Sequence, residues 1–422
     1  MYRKSLEVFL AKSARKYLIR SGNPEIIGIT GSVGKTSARE AVRAVLSGGF
    51  PIRVSPRNMN TEIGMPLAVL GLPGGGKSAW QWLKVAVMAW FRANIGKAEL
   101  PPILVLEMAA DRPGDIEKLT GIAPPAIGVV TACAQSHLEL FRTIDEVFRE
   151  KRVMVESLGK DGVAILNRDD ERVWKMRERA AGRVVSYGFD GEADVRALPE
   201  SLGYAFDPEG DCGMRFKVSA FGSTVPVFVP GVLGRQVAYA ALVGMAVGLV
   251  KGMNLVEIAE NLRSFRPLPG RVRCLGGIKR TVLIDDTYNA SPKSVSAALD
   301  VLGDLPVGPE SGRIAVLGDM LDLGGSSPGL HGEIGRKAAE IGLDTLVLVG
   351  ERTTETERAA LEAGMPREKV FHFPDTERAG MFVQGRMRSG DIVLIKGSRG
   401  MRMEEVTREL MADPQRAAEL LV

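Results

Sequence analysis

Residues 26–37 read Ile26-Ile27-Gly28-Ile29-Thr30-Gly31-Ser32-Val33-Gly34-Lys35-Thr36-Ser37, and the order of residue types in them decides the fold. A short β-branched apolar run enters Gly31, a glycine-containing turn follows, and Ser37–Leu46 carries helical spacing. Strand, turn and helix in that order open a phosphate-binding unit. Glycines let backbone N–H groups close around phosphate oxygens, the helix N-terminus favours negative charge, Lys35 supplies a mobile cation, and Thr36 can ligate Mg²⁺. The pattern met is T-G-x-x-G-K-[ST]; Ile29 stands where the longer form G-x-x-x-x-G-K-[ST] has its first glycine. Gly31, Ser32, Val33, Gly34, Lys35, Thr36 and Ser37 are therefore the expected contacts to ATP.

The same texture continues outward. Ile103–Leu106, Ile127–Thr131 and Val163–Leu166 are β-rich runs, each followed by a turn and helical periodicity, which predicts βαβ units on a mostly parallel sheet. Shorter alternating segments (Val184–Phe189, Met214–Ala220, Thr224–Val229) predict a small antiparallel insertion or sheet edge, and Gln236–Lys251 a long helix. Arg266-Pro267-Leu268-Pro269-Gly270 forbids helix continuation and marks a boundary. Beyond it Thr281–Ile284, Ile314–Leu317, Thr345–Val349 and Ile392–Ile395 read as strands of a second unit. The expected fold is α/β: a P-loop central ATPase domain with a mostly parallel sheet over 25–268, plus a C-terminal Rossmann-like α/β domain over 269–422, preceded by a basic helix over 1–24.

With 422 residues, 45% apolar and 25% charged, the chain has ample material for such cores. Its 55 Lys and Arg against 51 Asp and Glu leave a net charge of +4, too small to argue for nucleic acid as a partner. Cys133, Cys212 and Cys274 lie far apart without C-x-x-C spacing, which argues against a disulfide scaffold or zinc ribbon and for a reducing, cytoplasmic compartment. No apolar run reaches the roughly 18 residues of a membrane span. Met1–Arg20 lacks the apolar core of a signal peptide and reads as a basic amphipathic helix packed on the first domain, peripheral contact with anionic lipid being the other reading. Ser78–Asn94 holds Trp80, Trp82 and Trp90 beside Lys84 and Arg92; an inserted helix packed into a core is expected, a lipid or partner surface the alternative.

Two further residues carry chemistry by position. Glu107 ends a strand, and the carboxyl ends of parallel strands are where α/β sheets place ligands, so its carboxylate is placed to hold a Mg²⁺ bridging phosphate oxygens near Lys35 and Thr36. His137 follows the next strand by six residues, on a loop that opens to the same face, and is expected to touch metal or phosphate. His331 and His372 read as structural or surface residues.

From this shorter phosphate loop onward the sequence resembles the Mur ligases, which join an amine to a carboxylate through an acyl-phosphate. The likeness continues in order through Asn58-Met59-Asn60-Thr61-Glu62-Ile63-Gly64-Met65-Pro66, Val105–Ala110 with Arg112-Pro113-Gly114-Asp115, and Ser136-His137-Leu138-Glu139. It extends to Asp286-Thr287-Tyr288-Asn289-Ala290-Ser291-Pro292, Leu317–Leu321 and Lys396–Met403, in the form of the branch that adds D-alanyl-D-alanine. The resemblance implies ATP-dependent ligation of D-Ala-D-Ala to a muramyl-peptide cell-wall precursor, with small-molecule and peptide substrates. A folylpolyglutamate-synthase-like or other amino-acid ligase is the first rival, opposed by the Asp286–Pro292 and Lys396–Met403 segments; a nucleotide-binding regulatory or scaffold protein is the second.

The resemblance also implies roles. Lys151, expected within a helix over Ile144–Leu158, matches the lysine that many Mur ligases carbamylate into a ligand for a second Mg²⁺. That reaction needs a neutral amine, so burial or nearby cations must depress its pKa. Arg271 matches an arginine that reaches the γ-phosphate on domain closure; Asp286 is expected at a ribose hydroxyl and Asn289 at the adenine edge. Lys396, Ser398 and Arg399, with Asp319, are expected to face the incoming amine, Arg399 suiting a dipeptide carboxylate; Asn58 and Asn60 belong to the substrate segment. Lys35, Glu107, His137, Lys151 and Arg271 thus form the expected catalytic set, with Thr36, Glu107, His137 and Lys151 as metal ligands.

Two departures stand out. About 25 residues precede the loop's strand, where ordinary members carry a domain for the UDP part of the substrate, which leaves that part to other surfaces or a separate chain. Gly234-Arg235-Gln236-Val237-Ala238-Tyr239-Ala240 stands where the family has a His-Asn pair and a later Asn.

Overall fold

The β-branched run entering Gly31 forms a buried strand, β1 (Glu25–Thr30), at the middle of a large sheet. The computed structural model describes residues 2–134, 141, 143–205, 212–266 and 268–422; His137, with the rest of its motif, and Pro267 lie outside the described residues. Around β1 stand β2 (Ile52–Val54), β3 (Ile103–Glu107), β4 (Ile127–Val130), β5 (Val163–Asn167), β6 (Arg183–Gly188) and β7 (Val195–Ala197). Their order is β2-β3-β1-β4-β5-β6-β7, and every neighbouring pair is parallel. β9 (Gly213–Ala220) and β10 (Ser223–Pro230) extend the order and β8 (Gly203–Ala205) pairs with β9, β9 being antiparallel to β7 and β8 as expected. Val184–Phe189, expected in the same antiparallel edge, instead runs parallel to its neighbours as β6. Continuous burial along β3 and β4 is what a parallel sheet covered on both faces requires.

Register decides where the chemistry falls. Ile29 sits opposite Glu107, and Thr30 opposite Val130, so β1, β3 and β4 finish side by side at their carboxyl ends. Helices α1 (Tyr2–Arg20), α2 (Lys35–Leu46), α3 (Gly64–Leu70), α4 (Ala79–Asn94), α5 (Asp115–Ile122) and α6 (Ile144–Glu156) belong to the same unit. α1 packs on α3, α4 and α5 through Leu10, Ala14, Tyr17 and Leu18. α4 corrects an expectation. It buries only Val85, Ala89 and Ala93, while Trp80 and Trp90 remain 64% and 50% exposed, because the residues small enough for close packing lie on the opposite side.

Clustering of the chain separates Met1–Leu202, Phe216–Phe228 and Ala238–Phe265 from Gly203–Arg215, Val229–Val237 and Arg266–Val422. The second unit holds β11 (Arg273–Gly276), β12 (Val282–Asp286), β13 (Arg313–Gly318), β14 (Thr345–Val349), β15 (Val370–Phe373) and β16 (Ile392–Lys396), in the order β11-β12-β16-β13-β14-β15. All pairs are parallel except the β11–β12 edge. β2, β11 and β15 are three- or four-residue edge strands whose mixed side chains carry no readable periodicity.

The cysteine reading is also corrected. Cys212 and Cys274, 62 residues apart, are joined by a disulfide with a Cα–Cα separation of 6.2 Å, while Cys133 is free and buried. Gly231 brings the pair together: its N–H donates to Cys212 O (2.7 Å) and its carbonyl accepts from Cys274 N–H (3.1 Å). Spacing along the chain says nothing of this proximity. No helix among the described residues is long and apolar enough to cross a membrane.

Candidate functional site

The turn after β1 is held open by its own geometry. Gly31 has φ 144°, and a Cβ there would stand 2.0 Å from Thr131 Oγ1; Gly34 caps α2 with φ 84°. α2 therefore begins at Lys35, two residues earlier than its spacing suggests. Thr131, just past β4, donates its hydroxyl to Val33 O (2.5 Å), and Ser32 exchanges hydrogen bonds with Ala134 (2.9 and 3.1 Å). The neighbouring strand end thus braces the loop and presents the N-terminus of α2 at its mouth, the arrangement that binds an oxyanion. Lys35 folds back over the turn, its Nζ donating to Gly31 O (2.6 Å) and Ser32 O (3.4 Å), within reach of anything seated there.

Glu107 lies beside this mouth, 3% exposed. Thr36 Oγ1 donates to its Oε1 at 3.3 Å and Asn60 Nδ2 at 2.9 Å, while Arg39 Nη1 stands 3.5 Å from Oε2. Its backbone N–H donates to Ser55 Oγ (3.1 Å). Arg39 and Ser55 escaped the sequence reading. Arg39 sits three residues after Thr36, hence on the same face of α2, and is the largest fully buried side chain among the described residues, where its Nε and Nη1 find no hydrogen-bond partner. The Thr36 hydroxyl and the Glu107 carboxylate offer two hard oxygen donors at a phosphate cradle, the donor set Mg²⁺ takes when phosphate and water complete its shell, so the residues present fit that ion. No cluster of three or more His, Cys, Asp or Glu suited to a metal occurs among the described residues.

α6 contributes Glu150 and Lys151, both buried. Glu150 accepts from Gly114 N and Ile116 N (2.7 Å each), and Asp115 Oδ2 accepts from Asp111 N and Arg112 N, so the Arg112–Asp115 motif is spent on starting α5. Burial, and then the Lys35 ammonium, pull the Lys151 amine down to about 8. Asn58 is exposed in a left-handed turn (φ 61°).

In the second unit the strand ends gather differently. Asp286 and Lys396 are register partners, and their side chains form a buried ion pair at 2.6 Å. Asp286 Oδ1 also accepts from Val272 N, and Lys396 Nζ donates to Asn289 O (2.9 Å). Burial raises the Asp286 carboxyl even though Lys396 pulls the other way. The two residues, expected at a ribose and at an amine, pair with each other beneath the Tyr288–Asn289 loop. Above it, exposed Asn289 neighbours Tyr288, whose ring lies 4.2 Å from the Arg271 guanidinium. Ser398 and Asp319 are buried: Ser398 Oγ accepts from Leu321 N (2.8 Å), and Asp319 Oδ1 from Thr353 N (3.0 Å). Arg399 is exposed, 3.1 Å from Glu404. His331 is structural, its Nε2 accepting from Met320 N (3.1 Å), and His372 lies 2.9 Å from Glu357.

Known proteins share this fold. Residues 96–248 match the Mur ligase middle domain and residues 270–399 the Mur ligase glutamate ligase domain. The UDP-N-acetylmuramoyl-tripeptide–D-alanyl-D-alanine ligase of Mycobacterium tuberculosis (strain CDC 1551 / Oshkosh) is 32% identical over 410 residues, covering 93% of this chain and 74% of its own. The crystal structure of MurF from Acinetobacter baumannii matches with a TM-score of 0.77 at 25% identity, covering 96% of this chain and 81% of that one. MurF ligase from Thermotoga maritima in complex with ADP matches at 0.74 and 27%, covering 98% and 84%. The chain belongs to the Mur ligase family of ATP-dependent ligases.

Proposed function

We propose that this chain joins D-alanyl-D-alanine to a UDP-linked muramyl tripeptide, the reaction named for its relatives. The observation that carries the chemistry is the junction of Lys35, Thr36 and Glu107 at the mouth of the Gly31–Gly34 turn. Loop amides hold the ATP phosphates, and Lys35 leaves the turn carbonyls to follow the γ-phosphoryl group as the substrate carboxylate attacks it. Thr36 and Glu107 would hold Mg²⁺, which supplies charge neutralisation between phosphate oxygens. Asn60 and Arg39 keep the Glu107 carboxylate aimed at the turn. ADP leaves as the acyl-phosphate forms, and the incoming amine then attacks its carbonyl carbon, forming the amide and releasing phosphate and a proton.

Lys151 joins the site as a carbamate: its neutral amine adds CO₂, an N–C bond forms, one proton leaves, and the buried ammonium becomes an oxygen ligand. An amine titrating at about 8 supports this reading. His137 is assigned the neighbouring metal or phosphate contact. On the second unit, Arg271 and Asn289 are offered to a nucleotide, and Arg399 to the carboxylate of a dipeptide.

Phosphate release measured over an acceptor panel tests the assignment. Strict dependence on UDP-muramyl tripeptide plus D-Ala-D-Ala is expected. Release driven instead by folate plus glutamate, or by single amino acids, would move the chain to another ligase branch.

A further inference from the structure

The outer side of α4 has no role in the ligase site. Opposite its buried Val85, Ala89 and Ala93, the helix exposes Trp80, Leu83, Val87, Met88, Trp90 and Phe91, each between 44% and 64%. At 3.6 residues per turn these positions form one stripe over roughly half of the helix surface. Ile95 prolongs it past the helix end, and the adjoining α1 adds exposed Val8 and Ile19. Nine of the fourteen large apolar side chains exposed among the described residues lie here. Scattered exposure of single apolar residues is ordinary; a continuous stripe marks a docking surface.

Charge identifies what docks. α1 and α4 together carry eight Lys and Arg against one acidic residue, Glu7, whereas the whole chain nets only +4. α4 has no acidic residue at all. Lys84 reaches over the Trp80 ring (5.8 Å), and Lys97 is exposed beyond the helix. Lys16 Nζ donates to Asn94 Oδ1 (2.6 Å), and Arg20 donates to the carbonyls of Arg92 and Gly96 (3.1 Å each), which fixes the basic stretch of α1 along the end of the stripe. A second copy of the chain would bring this same positive field against itself. A headgroup layer supplies what the face lacks: negative charge at the rim, acyl chains for the aliphatic side chains, and an interface in which tryptophan is favoured.

We propose that α1 and α4 form a peripheral docking surface for membranes with anionic headgroups, α4 lying in the plane of the interface. The inference stands apart from the substrate assignment, since it uses none of the residues of the ligase site.

Co-sedimentation of the full chain with equimolar phosphatidylglycerol/phosphatidylethanolamine vesicles, compared with pure phosphatidylcholine vesicles, tests it. Binding to the first, with a blue shift of tryptophan emission, and little binding to the second are expected. W80S/W90S removes exposed rings only and should weaken binding about tenfold or more. K12E/K16E should weaken it about fivefold for each charge. Unchanged ATP turnover in both variants would show that the fold is intact. No binding by the intact chain, or undiminished binding by W80S/W90S, would overturn the proposal. So would a dimer in sedimentation velocity that W80S/W90S dissolves without any vesicle binding, which would make a second copy the occupant.

Discussion

Both units end parallel strands on charged side chains, and the two ends are built for different ends. At β3, the Glu107 carboxylate is approached by a hydroxyl, an amide and a guanidinium at 2.9–3.5 Å. At β12, the Asp286 carboxylate is taken directly by the Lys396 ammonium at 2.6 Å. Strand-end position alone therefore does not decide what a carboxylate meets. What separates the two is how closely the protein's own cation takes the carboxylate: the Arg39 guanidinium stands 3.5 Å from Glu107 Oε2, whereas the Lys396 ammonium reaches Asp286 Oδ2 at 2.6 Å.

The largest effect should come from Glu107→Gln and Lys35→Ala. Each should lower ATP-driven turnover by about a hundredfold to a thousandfold, as loss of one preorganised electrostatic contact does. Circular dichroism should report a folded protein in both. Next comes Lys151→Met. Turnover should fall by a similar order while the melting temperature holds or rises, since the substitution removes a buried amine whose charge is disfavoured.

The sign of the pH dependence follows. The folded-state pKa of Lys151, about 8, lies below its ordinary value, so the unfolded chain binds more protons above pH 8 and this group's penalty on folding fades as pH rises from there. Below about 8 the amine is charged and CO₂ addition is suppressed. Activity in bicarbonate-free buffer should therefore fall most at acid pH, and added bicarbonate should restore it most near and above pH 8.

On the other side of the comparison, Asp286→Ala should cost about 3–5 kcal/mol of stability by leaving Lys396 buried and unpaired. Replacing both, as in D286L/K396M, should recover much of it in urea melts. Failure to recover would mean that the pair does more than brace the Tyr288–Asn289 loop. The smallest effect on stability is expected from Arg271→Ala, within about 0.5 kcal/mol for an exposed side chain, with the loss confined to turnover.

The phosphate loop and the strand frame were legible because they rest on local rules: β-branched runs, glycine turns and strand-to-helix order. Glu107 was legible for the same reason, being the last residue of an apolar run. Arg39 was not, because its meaning depends on a side-chain contact across from α2 to β3. Nor was the Asp286–Lys396 pair, which only the register of β12 against β16 creates. The disulfide was hidden by sequence distance, and the exposed face of α4 by a pattern that a buried helix shares. In each case a long-range contact, or the lack of one, decided the outcome.

The most direct measurement is the Mg²⁺ dependence of ATP turnover in Glu107→Gln beside Lys396→Met, each at matched folded fraction. Expected is a large rise in the Mg²⁺ needed for half-maximal rate, with lost turnover, in Glu107→Gln, and an unshifted Mg²⁺ dependence in Lys396→Met. A Glu107→Gln protein with wild-type turnover and metal dependence would contradict the assignment of the Thr36–Glu107 junction as the ATP site.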